Sequence, residues 1–259
     1  MNHETAVKVI SATGLLAALI LFFIPAIPQD SNYHHFADSR GWMGVPNFGN
    51  VLSNLPFVGV GFLGLLAVWK DRNDKNRFIL PAEGQLFALA FIGIGLVAPG
   101  SAYYHWNPNN DTLLWDRLPM TIGFMAIFSL MILERIHVKA GLYLLPLFLL
   151  LGVWSVLYWH HTETLGHGDL RPYAWVQFFP TLAIPMMLLM FPPRYSAVRH
   201  LWWMVAWYAL AKVLEHFDGG VFALLGGTVS GHSLKHVAAA WGTYELLRYM
   251  KNRQRIQAG

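Results

Sequence analysis

The stretch GQLFALAFIGIGLVAPGSAYYHWNPNN, Gly84–Asn110, decides the fold. It contains no Asp, Glu, Lys or Arg, and it exceeds the roughly 20 residues that an α-helix needs to cross a bilayer. Its apolar residues run continuously instead of alternating with polar ones. That pattern argues for a helix and against a strand of a closed barrel. Near its end stand Ser101 and His105, four residues apart, a step that puts both on one helix face. Polar groups in such a setting are costly and are kept mainly when they bind something or do chemistry.

Working outward, the same kind of stretch recurs at Val9–Gln29, Gly41–Trp69, Leu118–Leu133, Ala140–His161 and Pro172–Pro193. Two further segments, Leu201–Glu215 and His232–Tyr249, carry ionisable groups and still read as helices, which makes eight candidate spans. Composition agrees. Of 259 residues 55% are hydrophobic and only 12% charged, against about 25% charged in an ordinary soluble domain. The chain is therefore expected to be an all-α integral membrane protein. The first span could be taken for a signal peptide, but IPAIP, Ile24–Pro28, is a poor small-residue cleavage site, so a retained anchor is expected.

Loop charge sets the expected orientation. Basic residues gather in Lys70–Arg77, Arg135–Lys139, Arg194–Arg199 and Arg248–Arg255, whereas the alternate loops hold only Arg40, Arg117 and Arg171. The positive-inside rule then places both termini in the cytoplasm. Trp42, Tyr103, Tyr104, Trp106, Trp115, Tyr158 and Trp159 would form an aromatic belt at the outer surface. The basic residues form no single stripe, so nucleic acid is not an expected partner. With no cysteine, any metal here must be held by His and carboxylate.

This topology brings separate polar motifs to one depth. Ser101 and His105 end one span, Asp116 opens the next, and His232 and His236, again one helical step apart, open the last. All five fall in the outer half of the membrane. Three neutral imidazoles with an open fourth position suit catalytic zinc. Zinc lowers the pKa of its bound water to about 7 and polarises a carbonyl. Asp116 could take or orient the proton of that water, and Ser101 could donate to the oxyanion of a tetrahedral intermediate. Such a set hydrolyses an amide or ester, and its position within the membrane points to a lipid substrate. A His-x-x-x-His pair alone arises often by chance; the coincidence of depth is what gives this one weight.

SAYYH (Ser101–His105), WDRLPM (Trp115–Met120) and HSLKH (His232–His236), with NVLSNLP (Asn50–Pro56) upstream, resemble the motifs of the alkaline ceramidase family. That family belongs to the CREST group of membrane hydrolases. The resemblance runs from about Asp38 to Tyr249. It implies a seven-helix core in residues 31–259, with an extra transmembrane helix in residues 1–30. It also implies zinc on His105, His232 and His236, with Ser101 and Asp116 assisting, and cleavage of ceramide to a sphingoid base and a fatty acid. Some family members hold calcium before the first core helix. Here only Asp38 and Asn47 are candidate oxygen ligands, and pairing of Asp38 with Arg40 is the simpler reading, since calcium usually takes six to eight oxygens.

Other polar groups have plainer readings. His160–Arg171 is expected to be a solvated outer loop, with a second metal site or a lid as the alternatives. Lys212 and Glu215 are expected to pair, or to support an imidazole from outside the ligand set. Pro99-Gly100 is expected to kink its helix before Ser101. The rival functions are a lipid-sensing receptor with a structural zinc and a transporter with a histidine relay. Short loops without a C-terminal retrieval signal suggest a bacterial inner membrane.

Overall fold

Each apolar run forms a helix whose ends are set by local chemistry. The computed structural model describes residues 1–256, so the last three residues of the expected core domain lie outside it. Helix α1, His3–Phe23, is capped by the Asn2 side chain, which accepts from the Thr5 N–H at 2.8 Å. A 3-10 turn, Ser31–His34, leads through an irregular segment to α2, Phe48–Leu52, and α3, Leu55–Asp71. The span expected from Gly41 is thus helical only from Phe48. Met43, Gly44 and Asn47 have positive φ, which no helix accommodates. Pro56 sits in the first turn of α3, where its missing N–H is no loss.

Next come α4, Pro81–Trp106, α5, Asn110–Arg135, α6, Val138–Thr164, and α7, Arg171–Met190. The chain continues through α8, Arg199–His216, the short α9, Asp218–Leu224, and α10, Gly231–Asn252. No strand occurs among the described residues. Six helical segments are long and apolar enough to cross a membrane: α1, α2–α3 together, α4, α5, α6 and α7. They make this an integral multi-pass membrane protein. Helices α8 and α10 carry more charge and fall outside that group, but they pack against each other, and α10 also lies on α3.

Close approach of α4 and α5 positions the functional end of the bundle. A methyl on Gly100 would lie 2.2 Å from the Trp115 carbonyl oxygen, and one on Gly93 would lie 2.6 Å from the Gly123 nitrogen. Absence of side chains at these two points lets the helices touch, which sets Ser101 beside Asp116. Pro99 lies within a continuous α4 and is exposed. Helix α1 lies on α7, where the Trp175 indole donates to the Gly14 carbonyl at 3.1 Å.

The opposite end is a charged clamp. Arg253, fully buried, pairs with Glu134, which also accepts from the Tyr249 hydroxyl at 2.7 Å. Glu83, on α4, accepts from the Tyr195 hydroxyl at 2.5 Å and from the Ile79 N–H at 2.9 Å. The Arg253 guanidinium lies 4.1 Å from the Tyr195 ring centroid and 4.7 Å from that of Phe87. These contacts tie the end of the chain to α4, α5 and α10.

Two local expectations change. Tyr104 and Trp159 are buried, so they are packing residues and not part of a surface belt; Trp42, Tyr103, Trp106 and Trp115 are exposed. The segment from His160 is a helix as far as Thr164, because α6 outlasts its apolar stretch. Its Glu163 accepts from the Trp159 indole at 3.1 Å, and Asp169 pairs with Arg171 at 2.7 Å, so its carboxylates are engaged locally.

Candidate metal centre

His105 stands in the last turn of α4, and His232 and His236 stand one turn apart at the start of α10. All three are buried, and one ligand atom from each lies within 4.8 Å of the others; no other group of this kind occurs among the described residues. The Nε2 atoms face one another. His105 Nε2 lies 3.3 Å from His236 Nε2 and 3.4 Å from His232 Nε2. One ring nitrogen has either one proton or one lone pair, so His105 cannot satisfy both neighbours by hydrogen bonding. A shared cation satisfies all three. Tetrahedral zinc with Zn–N bonds of about 2.0–2.1 Å separates its nitrogens by about 3.3–3.4 Å, which is the spacing of His105 Nε2 from each of the other two. Nδ1 of His105 is buried without a hydrogen-bond partner among the described residues.

Neighbouring residues fix these rings. The Ser53 hydroxyl lies 2.8 Å from His236 Nδ1 and donates to the Asn50 carbonyl at 3.1 Å. With Nε2 ligating a cation, the Nδ1 N–H of His236 would donate to this hydroxyl, whose own proton goes to Asn50. The Phe36 ring packs on His105 and His232 with centroids 4.7 and 4.6 Å away. The Asp218 carboxylate accepts from the His232 backbone N–H at 2.7 Å and from the Ala37 N–H at 2.9 Å, which joins the segment before α2 to the start of α10.

Ser101 and Asp116 stand on either side of the close contact between α4 and α5 at Gly100 and Trp115. Both line a cavity of about 430 Å³, together with His236 and the apolar side chains of Ile94, Val97, Phe124 and Ile127. The cavity is polar at the histidine end and apolar along its walls, a shape suited to a lipid with one hydrophilic end.

The model of the family described as Ceramidase matches residues 43–258. The chain belongs to the ceramidase family. No curated protein matches it significantly. Membership in the ceramidase family, together with the six apolar helices, makes this a membrane-embedded hydrolase of the kind that acts on lipid amides. Residues 1–42, which include α1, lie before the matched region.

The remaining expected site residues fall elsewhere in this ceramidase-family fold. Asp38 accepts from Arg40 on both carboxylate oxygens at 2.8 Å. That bonding holds its carboxyl below the usual carboxylate range. Asn47 donates its side-chain amide to the His105 carbonyl at 2.9 Å and so braces α4. Lys212 pairs with Glu215 as its spacing predicts, and Lys235 joins the same carboxylate at 2.6 Å. The partner of His236 is Ser53, not this acidic group. Ser53 and Phe36 gave no local signal of their roles, although Ser53 lies within the NVLSNLP stretch.

Proposed function

We propose that this protein is a zinc-dependent intramembrane amide hydrolase that cleaves ceramide or a similar N-acyl lipid to an amine, such as a sphingoid base, and a fatty acid. The observation that carries the reading is the facing trio of Nε2 atoms, with that of His105 at the spacing of tetrahedral zinc ligands from the other two, beside an apolar cavity. His105, His232 and His236 hold the ion. When bound, zinc supplies Lewis acidity, which lowers the pKa of water to about 7 and polarises an acyl carbonyl.

The chain's own residues do the rest. Asp116 takes the proton of the attacking water and returns it to the leaving amine nitrogen. Ser101 donates a hydrogen bond to the oxygen that becomes negative as the carbonyl turns tetrahedral. No acyl-enzyme forms, because the Ser101 hydroxyl lacks the imidazole base of a serine-hydrolase triad. The apolar walls hold the acyl chain, which enters sideways from the bilayer. Calcium has no place in this reading, since Arg40 occupies both oxygens of Asp38. Helices α8 and α10 complete a seven-helix core, with α1 outside it. Both termini lie in the cytoplasm of a bacterial inner membrane, and the metal centre lies in its outer half.

The test joins metal analysis to product release. Purified protein is expected to carry about one zinc per chain and to free fatty acid from ceramide. His232→Ala is expected to lose both properties, and Asp116→Ala to keep zinc and lose turnover. Metal-free protein from non-chelating buffer, or hydrolysis that survives loss of the ion, would contradict the reading.

A further inference from the structure

The polar end of the cavity holds more positive charge than a neutral amide requires. Arg117, Lys212 and Lys235 line it against only Asp116 and Glu215. Both lysines lean on the single Glu215 carboxylate, which also accepts from the Tyr33 hydroxyl at 3.2 Å. An ammonium has three donors. Glu215 thus accepts three bonds, while each lysine spends on it one of its three donors.

Arg117 supplies an independent observation. It is 6% exposed, its Nη2 donates to the Gln29 side-chain oxygen at 2.6 Å, and its face lies 4.1 Å from the Trp159 ring centroid. Its Nη1 is buried with no acceptor among the described residues. A buried guanidinium N–H without an acceptor is costly. Arg117 and Lys235 also flank one ring, with Arg117 Cζ 5.9 Å and Lys235 Nζ 6.0 Å from the Tyr33 centroid. Cations from three helices, α5, α8 and α10, therefore line the same cavity as Ser101 and Asp116.

We infer that the polar end of this cavity is a subsite for an anionic group, a carboxylate, phosphate or sulfonate, carried on the amine portion of the N-acyl lipid close to the amide. The inference rests on the amide-hydrolase reading and adds to it a preference for acidic over neutral N-acyl lipids. Donor-only side chains satisfy an oxyanion better than a hydroxyl, which brings a donor of its own.

The test compares two substrates of one acyl length, N-palmitoylglycine and the neutral N-palmitoylethanolamine, with zinc-loaded full-length protein in detergent. Binding of each is measured separately in Asp116→Ala. Expected are a preference of about tenfold or more in kcat/KM and in affinity for the acid, the scale of one charge-assisted hydrogen bond. That preference should fall at least about fivefold in Lys235→Gln or Lys212→Gln and persist in Lys235→Arg. A third arm uses palmitate as inhibitor, to separate a head-group anion from the product carboxylate. Equal use of both substrates, or a preference indifferent to the lysines, overturns the inference. So does a lysine effect confined to palmitate inhibition. Failure to cleave either amide, with the binding preference intact, contradicts the amide-hydrolase reading and leaves the subsite standing.

Discussion

Two buried polar clusters occupy opposite ends of this bundle, and they solve the same problem differently. At one end Arg253 is answered by the carboxylates of Glu134 and Glu83, each of which also accepts from a tyrosine hydroxyl, and by aromatic rings around its guanidinium. Charge meets opposite charge there, although Glu83 Oε1 and Arg253 Nε and Nη2 make no hydrogen bond among the described residues. At the other end three imidazoles turn Nε2 atoms toward each other, His105 keeps an orphan Nδ1, and a cavity opens beside them. Polar residues in an apolar bundle are equally expensive at both ends. Those that set opposite charges against each other hold the fold, and those that bring like nitrogens together beside a cavity mark where something else belongs.

Mutations should separate the two clusters. Asp116→Ala is expected to cost the most in function, on the order of 10²–10⁴ in turnover, the range for a general acid–base group. Its thermal unfolding and zinc content should stay near wild type. Glu134→Ala should do the reverse. Removing the nearer of the two carboxylates beside buried Arg253 should cost up to about 3–5 kcal/mol of stability, less whatever Glu83 retains, read as a lower unfolding temperature in detergent, with turnover per folded molecule retained. If Glu134→Ala instead abolished turnover in well-folded protein, the division between the ends would fail.

Smaller changes sharpen it. Ser53→Ala removes the partner of His236 Nδ1 and should weaken zinc binding about 10- to 100-fold, measured by competition with a chelator. The smallest effect concerns Asp38. Arg40 holds its carboxyl below the usual range, so the unfolded chain protonates first as acid is added. The stabilisation is complete above about pH 4 and is lost as pH falls through the folded-state value. Because Arg40 is exposed, solvent screening keeps it slight. Asp38→Asn should flatten that acid limb of the melting curve and lower the unfolding temperature at pH 7 only slightly.

Much of this was readable before any coordinates. Long uncharged runs impose helices, and the four-residue steps Ser101–His105 and His232–His236 fix which side chains share a face. What escaped depends on distance in three dimensions. Ser53 meets His236 only because α3 packs on α10, and Lys235 meets Glu215 only because α10 packs on α8. Trp159 and Tyr104 look like surface aromatics because they flank polar residues, yet the bundle closes over both. The helical break before Phe48 follows from backbone conformations that an apolar composition does not reveal.

Zinc K-edge absorption spectroscopy of the purified protein tests the central claim most directly. A shell of nitrogen and oxygen scatterers at about 2.0–2.1 Å, with the outer-ring signature of three imidazoles that drops to two in His236→Ala, is the predicted result. A protein that binds no zinc, or a spectrum without imidazole scattering, would contradict the account.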